Sequence, residues 1–235
     1  MIPSATTLVL LPGLDGTGDL FNGFIAVLPS GFQVITVRYP TAESLSYAQL
    51  ATMVRDATLA SDPFVLVAES FSTPLAIQIA AEGLPKMKAL VLCAGFATSP
   101  VRGWRRFLIS ALGPILVRLP LPDFLAKRFL VGSDAPIELA RTVRTAISSV
   151  TASVLTDRLR NVFACDVRTA FAKVRIPILY LQARRDQLVE AASLEEIRQI
   201  QPTTTVADID GPHLLLQRRP MEAFNAIEKF LHQLK

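Results

Sequence analysis

Ser70, Asp186 and His213 are, in chain order, a hydroxyl, a carboxylate and one of only two imidazoles in the chain. Each stands just beyond a run of residues that reads as a buried strand. A serine becomes a nucleophile when an imidazole takes its proton, and a carboxylate can orient that imidazole and balance the charge it gains. The run 64–68, Phe-Val-Leu-Val-Ala, is apolar throughout, as a strand covered on both faces should be. From Pro74 onward Leu75, Ile77, Ile79 and the alanines form an almost wholly apolar helix, with the proline tolerated in its first turn. A strand that turns sharply into a helix strains its junction residue, and only small side chains fit two positions to either side. Ala68 and Ser72 fill those positions around Ser70. The hydroxyl should therefore stand at the carboxyl end of a sheet, beside a helix N-terminus that favours negative charge.

The partners follow in order. A second buried-strand pattern, 176–183, leads through Arg184 and Arg185 to Asp186. A third, 203–210, is rich in β-branched residues and closes with Gly211, Pro212 and His213. The other imidazole, His232, belongs to an amphipathic helix carrying Met221, Phe224, Ile227, Phe230, Leu231 and Leu234, and reads as a solvated residue. Each feature alone has a plainer meaning. Such a serine can simply cap a helix, an aspartate after a strand often does the same, and a histidine in a turn is usually just surface. Three of them, in this order at three strand ends, point to one site. No acid follows the remaining strand pattern, 89–95, so Asp186 has no rival there.

A fourth element precedes them. The strand pattern 6–12 runs into Gly13, Leu14, Asp15, Gly16, Thr17 and Gly18. The glycine spacing is not the dinucleotide fingerprint, and no P-loop lysine follows. Such a loop can instead bring a backbone N–H toward Ser70. Two amides are implied as donors to an oxyanion, those of Leu14 and Phe71, and one donor of this kind lowers an acyl-transfer barrier by about 3 kcal/mol. Asp15 is expected to pin the loop through an Asx turn.

The pattern Ala68-Glu69-Ser70-Phe71-Ser72 resembles the nucleophile elbow of the α/β-hydrolase fold, G-x-S-x-G, with both glycines replaced by small residues. The order serine, aspartate, histidine is also that fold's order. The chain is identified as a member of the α/β-hydrolase superfamily of the small bacterial kind, over essentially its whole length. Its glycine loop resembles that of plant phytyl ester synthases, and its architecture is similar to that of pimeloyl-acyl-carrier-protein methyl esterases. The resemblance implies an α/β fold, with a mostly parallel, doubly wound sheet of about six strands and a helical cap insertion. The antiparallel strand pair that usually opens this fold has no counterpart ahead of the 6–12 pattern.

With 235 residues and 51% hydrophobic side chains the chain suffices for one large core with an insertion. The expected division is a hydrolase core from 1–98 and 169–235, and a helical cap over 99–168. Helical patterning marks the cap at Trp104 to Leu112, Phe124 to Val131 and Ile137 to Leu155. It carries 11 Lys and Arg against 5 Asp and Glu, which concentrates the basic character of the protein there. These arginines could merely solvate an apolar lid, or Arg102, Arg105 and Arg106 could dock a phosphate-bearing carrier. Nucleic acid is not expected, because no aromatic-basic interleaving accompanies the charge. Mean hydropathy is high, +0.40, yet no apolar run approaches the roughly 20 residues of a membrane span. No leader is read in the first residues, and Cys93 and Cys165 have neither metal-ligand nor redox spacing, so a cytoplasmic protein without metal or organic cofactor is expected.

Together these features lead to the expectation of a serine carboxylesterase acting on an apolar acyl group. Acyl-carrier or acyl-CoA thioester cleavage, acyl transfer to an alcohol and a non-catalytic ligand receptor on the same scaffold are the alternatives.

Overall fold

A computed structural model describes residues 6–61, 63–101 and 122–234. The strands are β1 (Thr6–Leu11), β2 (Phe32–Thr36), β3 (Phe64–Glu69), β4 (Met87–Cys93), β5 (Ile178–Ala183) and β6 (Thr205–Ile209); five of them correspond to the strand patterns above, while β2, a half-exposed strand at the sheet edge, was not read from the sequence. They join in one sheet of order β2-β1-β3-β4-β5-β6, and every pairing is parallel. The longer helices are α1 (Tyr47–Thr58), α2 (Thr73–Glu82), α3 (Ile137–Ser148), α4 (Ala152–Ala164), α5 (Ala191–Ile200) and α6 (Pro220–Gln233). From β1 the chain moves out to β2, then returns past β1 to β3 and continues to β6. The strand order thus switches direction between β1 and β3, and the loops leaving their carboxyl ends diverge to leave a crevice.

The sheet is covered on both faces, which is why its central strands carry continuous apolar runs, 64–68 in β3 and 89–93 in β4, rather than alternating ones. On one face Val9, Leu11, Leu66, Leu90 and Leu92 pack with Leu50 and Val54 of α1 and with Leu75 and Ile79 of α2. On the other, Leu8, Leu10, Val65, Val67 and Val91 pack with Phe21, Phe24 and the Phe224, Ile227 and Phe230 stripe of α6. Val65, Leu66, Val67 and Ala68 are each at most 2% exposed, so β3 delivers Ser70 from the rigid centre of the molecule.

Between β4 and β5 the described chain is helical, with Asp123–Leu125 passing into a π-helical stretch, Ala126–Val131, before α3 and α4. The helical pattern read from 137 to 155 is two helices, not one. Thr151 leaves the helical conformation, its hydroxyl accepts from the Val154 N–H to cap α4, and its own N–H donates to Thr41 O at 2.9 Å. A β-branched pair at Val150 and Thr151, the second a strong cap former, makes that break cheaper than continuing. This segment rests on the sheet's carboxyl end: Ala126, Val131, Ala140 and Val143 cluster with Leu20 and Leu214, and the Leu214 N–H donates to Leu130 O at 3.0 Å. Among the described residues no helix is long and apolar enough to cross a membrane.

Candidate active site

Ser70 occupies the strained corner expected of it. Its φ is +48°, in the left-handed region that a residue with a Cβ seldom adopts. Its surroundings impose that conformation: Thr73 Oγ1 donates to Ser70 O at 2.8 Å, and the Tyr47 hydroxyl donates to Phe71 O at 2.8 Å. A short 3-10 turn, Ser70–Ser72, leads into α2, with Pro74 in its first turn. Ser72 is fully buried and more than small. Its hydroxyl donates to Pro12 O and meets the Tyr39 hydroxyl at 2.7 Å, which ties the corner to the loop after β1. A glycine could not make that bond.

His213 reaches Ser70 from the far strand. Its Nε2 lies 2.9 Å from Ser70 Oγ, and its Nδ1 lies 2.8 Å from Asp186 Oδ2. With the proton on Nδ1 the ring donates to the aspartate and can accept from the serine. Two loops are stitched together to hold it, because the Arg184 N–H donates to Ile209 O and the Arg185 N–H to Gly211 O. Gly211 leaves room for the buried Leu215: a Cβ placed there would lie 2.5 Å from Leu215 Cδ1, so a side chain would require Leu215 to repack. Asp186 makes both kinds of contact that its position allowed. Its Oδ1 accepts from the Leu188 and Val189 N–H groups at 2.8 and 3.0 Å, while Oδ2 faces the imidazole. His232 is exposed on α6, away from this cluster.

The electrostatics favour a proton on the ring. Burial alone would depress the His213 pKa, but the Asp186 carboxylate beside it and the hydrogen bond between them override that, with a further contribution from Glu69; the net direction is upward. Glu69, at the end of β3, was not expected to matter. It is 1% exposed, its Oε2 accepts from Gln217 Nε2 at 3.1 Å, and its Oε1 has no hydrogen-bond partner among the described residues. Burial pushes its pKa from 4.5 to about 7 against the opposing pull of His213. The sequence signal was there, a carboxylate closing a strand that is otherwise wholly apolar.

The loop after β1 is held at nearly every peptide. The Asp15 carboxylate accepts from the Thr17 N–H at 2.9 Å and from its hydroxyl at 2.6 Å, an Asx turn, and the Gly16 N–H donates to Gly13 O at 3.1 Å. Leu14 N–H has no protein acceptor among the described residues. The Phe71 N–H lies in the first turn of its helical run, where amides have no partner up the helix. Into this loop reaches Arg158 of α4, 4% exposed, donating to Leu14 O, Asp15 O and Pro40 O, each at 2.8 Å. Sequence reading missed it, although Arg158 falls on the stripe marked by Val154, Leu155 and Val162, where an arginine signals a buried cation.

Arg102, Arg105 and Arg106 lie outside the described residues. Among the described residues no cluster of His, Cys, Asp and Glu could hold a metal. An open groove of about 710 Å³ runs between β6 and α6, lined by residues such as Asp208, Asp210 and Lys229, but it contains none of Ser70, Asp186 and His213.

A parallel, doubly wound sheet with a strained serine at the end of its central strand, hydrogen-bonded to a histidine delivered by the last strand, defines a hydrolase architecture. The match of residues 8–227 to the model of the alpha/beta hydrolase family places the chain in that family. Solved structures with the same fold include bromoperoxidase from Bacillus anthracis, with TM-score 0.85 and 18% identity over 97% of this chain and 92% of that one. A lipase-esterase related protein from Clostridium acetobutylicum gives TM-score 0.79 and 14% identity over 97% and 95%. In sequence, phytyl ester synthase 1 of Arabidopsis thaliana chloroplasts is 30% identical over 125 residues, which is 51% of this chain and 17% of that protein.

Proposed function

We propose that this protein is a serine hydrolase that cleaves a carboxylic ester of an apolar acyl group through a Ser70–His213–Asp186 triad. The observation that carries the reading is the continuous hydrogen-bonded chain from Ser70 Oγ through the imidazole to Asp186, at 2.9 and 2.8 Å. In the first half-reaction the Ser70 oxygen bonds to the acyl carbon while its proton passes to His213 Nε2. The carbonyl electron pair moves onto oxygen, where the amides of Leu14 and Phe71 receive it. The electron pair then returns, the ester C–O bond breaks, and the leaving alcohol takes the proton from His213. Water repeats the sequence on the acyl-enzyme, releasing a carboxylic acid and restoring Ser70. Asp186 orients the ring throughout and stabilises its charged form.

A second reading uses the same residues. Transfer of the acyl group to an alcohol in place of water is favoured by the sequence similarity to phytyl ester synthase 1. The test is a rate series on p-nitrophenyl esters and acyl thioesters of graded chain length, repeated with a long-chain alcohol. Hydrolysis of esters that Ser70→Ala abolishes supports the first reading. New ester that accumulates at the expense of free acid supports the second. A rate unaffected by Ser70→Ala overturns both.

A further inference from the structure

We propose that Arg158 is a positioning residue for acyl chemistry at Ser70, fixing the loop after β1 so that the Leu14 N–H faces the oxyanion. Because Arg158 is carried by α4, the shape of that loop also depends on how the segment between β4 and β5 is seated. The inference rests on the serine-hydrolase reading above and assigns a residue to it.

Burying a guanidinium is costly unless its donors are satisfied. Among the described residues Arg158 has no salt-bridge partner; it spends its donors on three backbone carbonyls instead. Its guanidinium carbon also lies 5.8 Å from the Tyr39 ring centroid and 5.9 Å from that of Phe71, the residue holding the second amide. The pattern of clamped carbonyls is informative because each trans peptide is a rigid plane whose C=O and N–H point opposite ways. Pro12 O is held by the Ser72 hydroxyl, Gly13 O by the Gly16 N–H, and Leu14 O and Asp15 O by Arg158. The peptide that carries the Leu14 N–H is the one whose carbonyl, Gly13 O, turns into the loop. Its N–H therefore turns out of the loop, and Arg158 locks the two planes that follow. Gly16 completes the fit. At φ +69° it takes a conformation that suits glycine, and a Cβ there would lie 2.5 Å from Arg158 Nη1.

The experiment compares wild type, Ser70→Ala, Arg158→Lys and Arg158→Ala on p-nitrophenyl butyrate. A trifluoromethyl ketone, which adds to an active-site serine, and the matched methyl ketone serve as inhibitors. Loss of one aligned oxyanion donor lowers kcat by about 10²–10³. The expected result is a kcat loss of that order in both Arg158 variants, with KM changed by less than about threefold. Affinity for the trifluoromethyl ketone should fall in parallel while that for the methyl ketone holds, and added guanidinium should restore part of the Arg158→Ala rate. Arg158→Lys keeps the charge and the aliphatic stem, so it tests the fork of donors in a protein that still packs. Unchanged kcat, equal losses for both ketones, or failure of both variants to fold would assign Arg158 a structural role and overturn the proposal. If Ser70→Ala abolishes turnover while the Arg158 variants keep it, this inference alone fails. If wild-type turnover survives Ser70→Ala, the hydrolase reading fails with it.

Discussion

Two buried carboxylates bear on His213, one at the end of β5 and one at the end of β3, and they differ in almost everything except burial. Asp186, with its side chain 2% exposed, is met by two backbone N–H groups and the imidazole. Glu69, 1% exposed, is met among the described residues by a single side-chain amide, with one oxygen left unpartnered there. Burial raises the pKa of Glu69, and too few donors face that carboxylate to offset it. Asp186 is equipped to stabilise an imidazolium. Glu69 is held near its titration point at about pH 7, where it reinforces the histidine only once it ionises.

The largest effects should separate the two acids by chemistry. Ser70→Ala and His213→Ala are expected to lower kcat by about 10⁴–10⁶, since the members of a triad act as a unit. Asp186→Asn should cost about 10⁴, because an amide there favours the wrong imidazole tautomer. Glu69→Gln, measured at pH 8 on the same ester, should change kcat by less than about tenfold. If the glutamine variant were as inactive as the asparagine one, the contrast drawn between the two acids would collapse.

Stability should sharpen the contrast from the other side. The folded-state pKa of Glu69 is raised above its ordinary 4.5, so the folded protein binds that proton more tightly than the unfolded chain. There is no cost below about pH 4.5; the cost accrues as pH rises to about 7 and is constant beyond. The raised pKa of His213 acts in the same direction, its contribution being complete below about pH 6.5 and lost as pH rises through the folded value. Chemical denaturation across pH 4–9 should show Glu69→Gln gaining up to about 3 kcal/mol on wild type, with the gain appearing between pH 4.5 and 7. A constant difference at every pH would mean that Glu69 does not titrate there.

A subtler shift concerns the acid limb of the rate profile. In the proposed mechanism turnover requires neutral His213, and the net upward displacement of its pKa moves that limb upward from the ordinary histidine value. Removing the Glu69 charge takes away one of the raising influences, so the limb of kcat/KM should move to lower pH in Glu69→Gln. Movement to higher pH would contradict the assigned electrostatics. The smallest effect is expected at Arg102, Arg105 and Arg106. If these dock a phosphate-bearing carrier, reversing their charges should raise KM for a carrier-linked substrate in a salt-dependent way and leave p-nitrophenyl butyrate turnover unchanged. Equal KM for the carrier-linked substrate in both proteins would leave them as solubilising charges.

The difference between what was legible and what was not follows the range of the forces involved. Buried-strand runs, the small pair flanking Ser70, the Asx turn at Asp15 and the Gly-Pro turn before His213 are all set by neighbours a few residues away, so the sequence by itself determined the parallel fold and the order of the three candidate groups. Even the misread helix from 137 to 155 was a local matter, a cap at Thr151 outweighed by apolar periodicity. Only the tertiary structure decided the rest. The hydroxyl of Ser72 finds Pro12, Arg158 finds Leu14 from 144 positions away, and Glu69 lacks a second partner among the described residues. Local patterns could mark Glu69 and Arg158 as buried, but hydrogen-bond satisfaction is a sum over whatever the fold packs around a group, and the partners that make up that sum lie far along the chain.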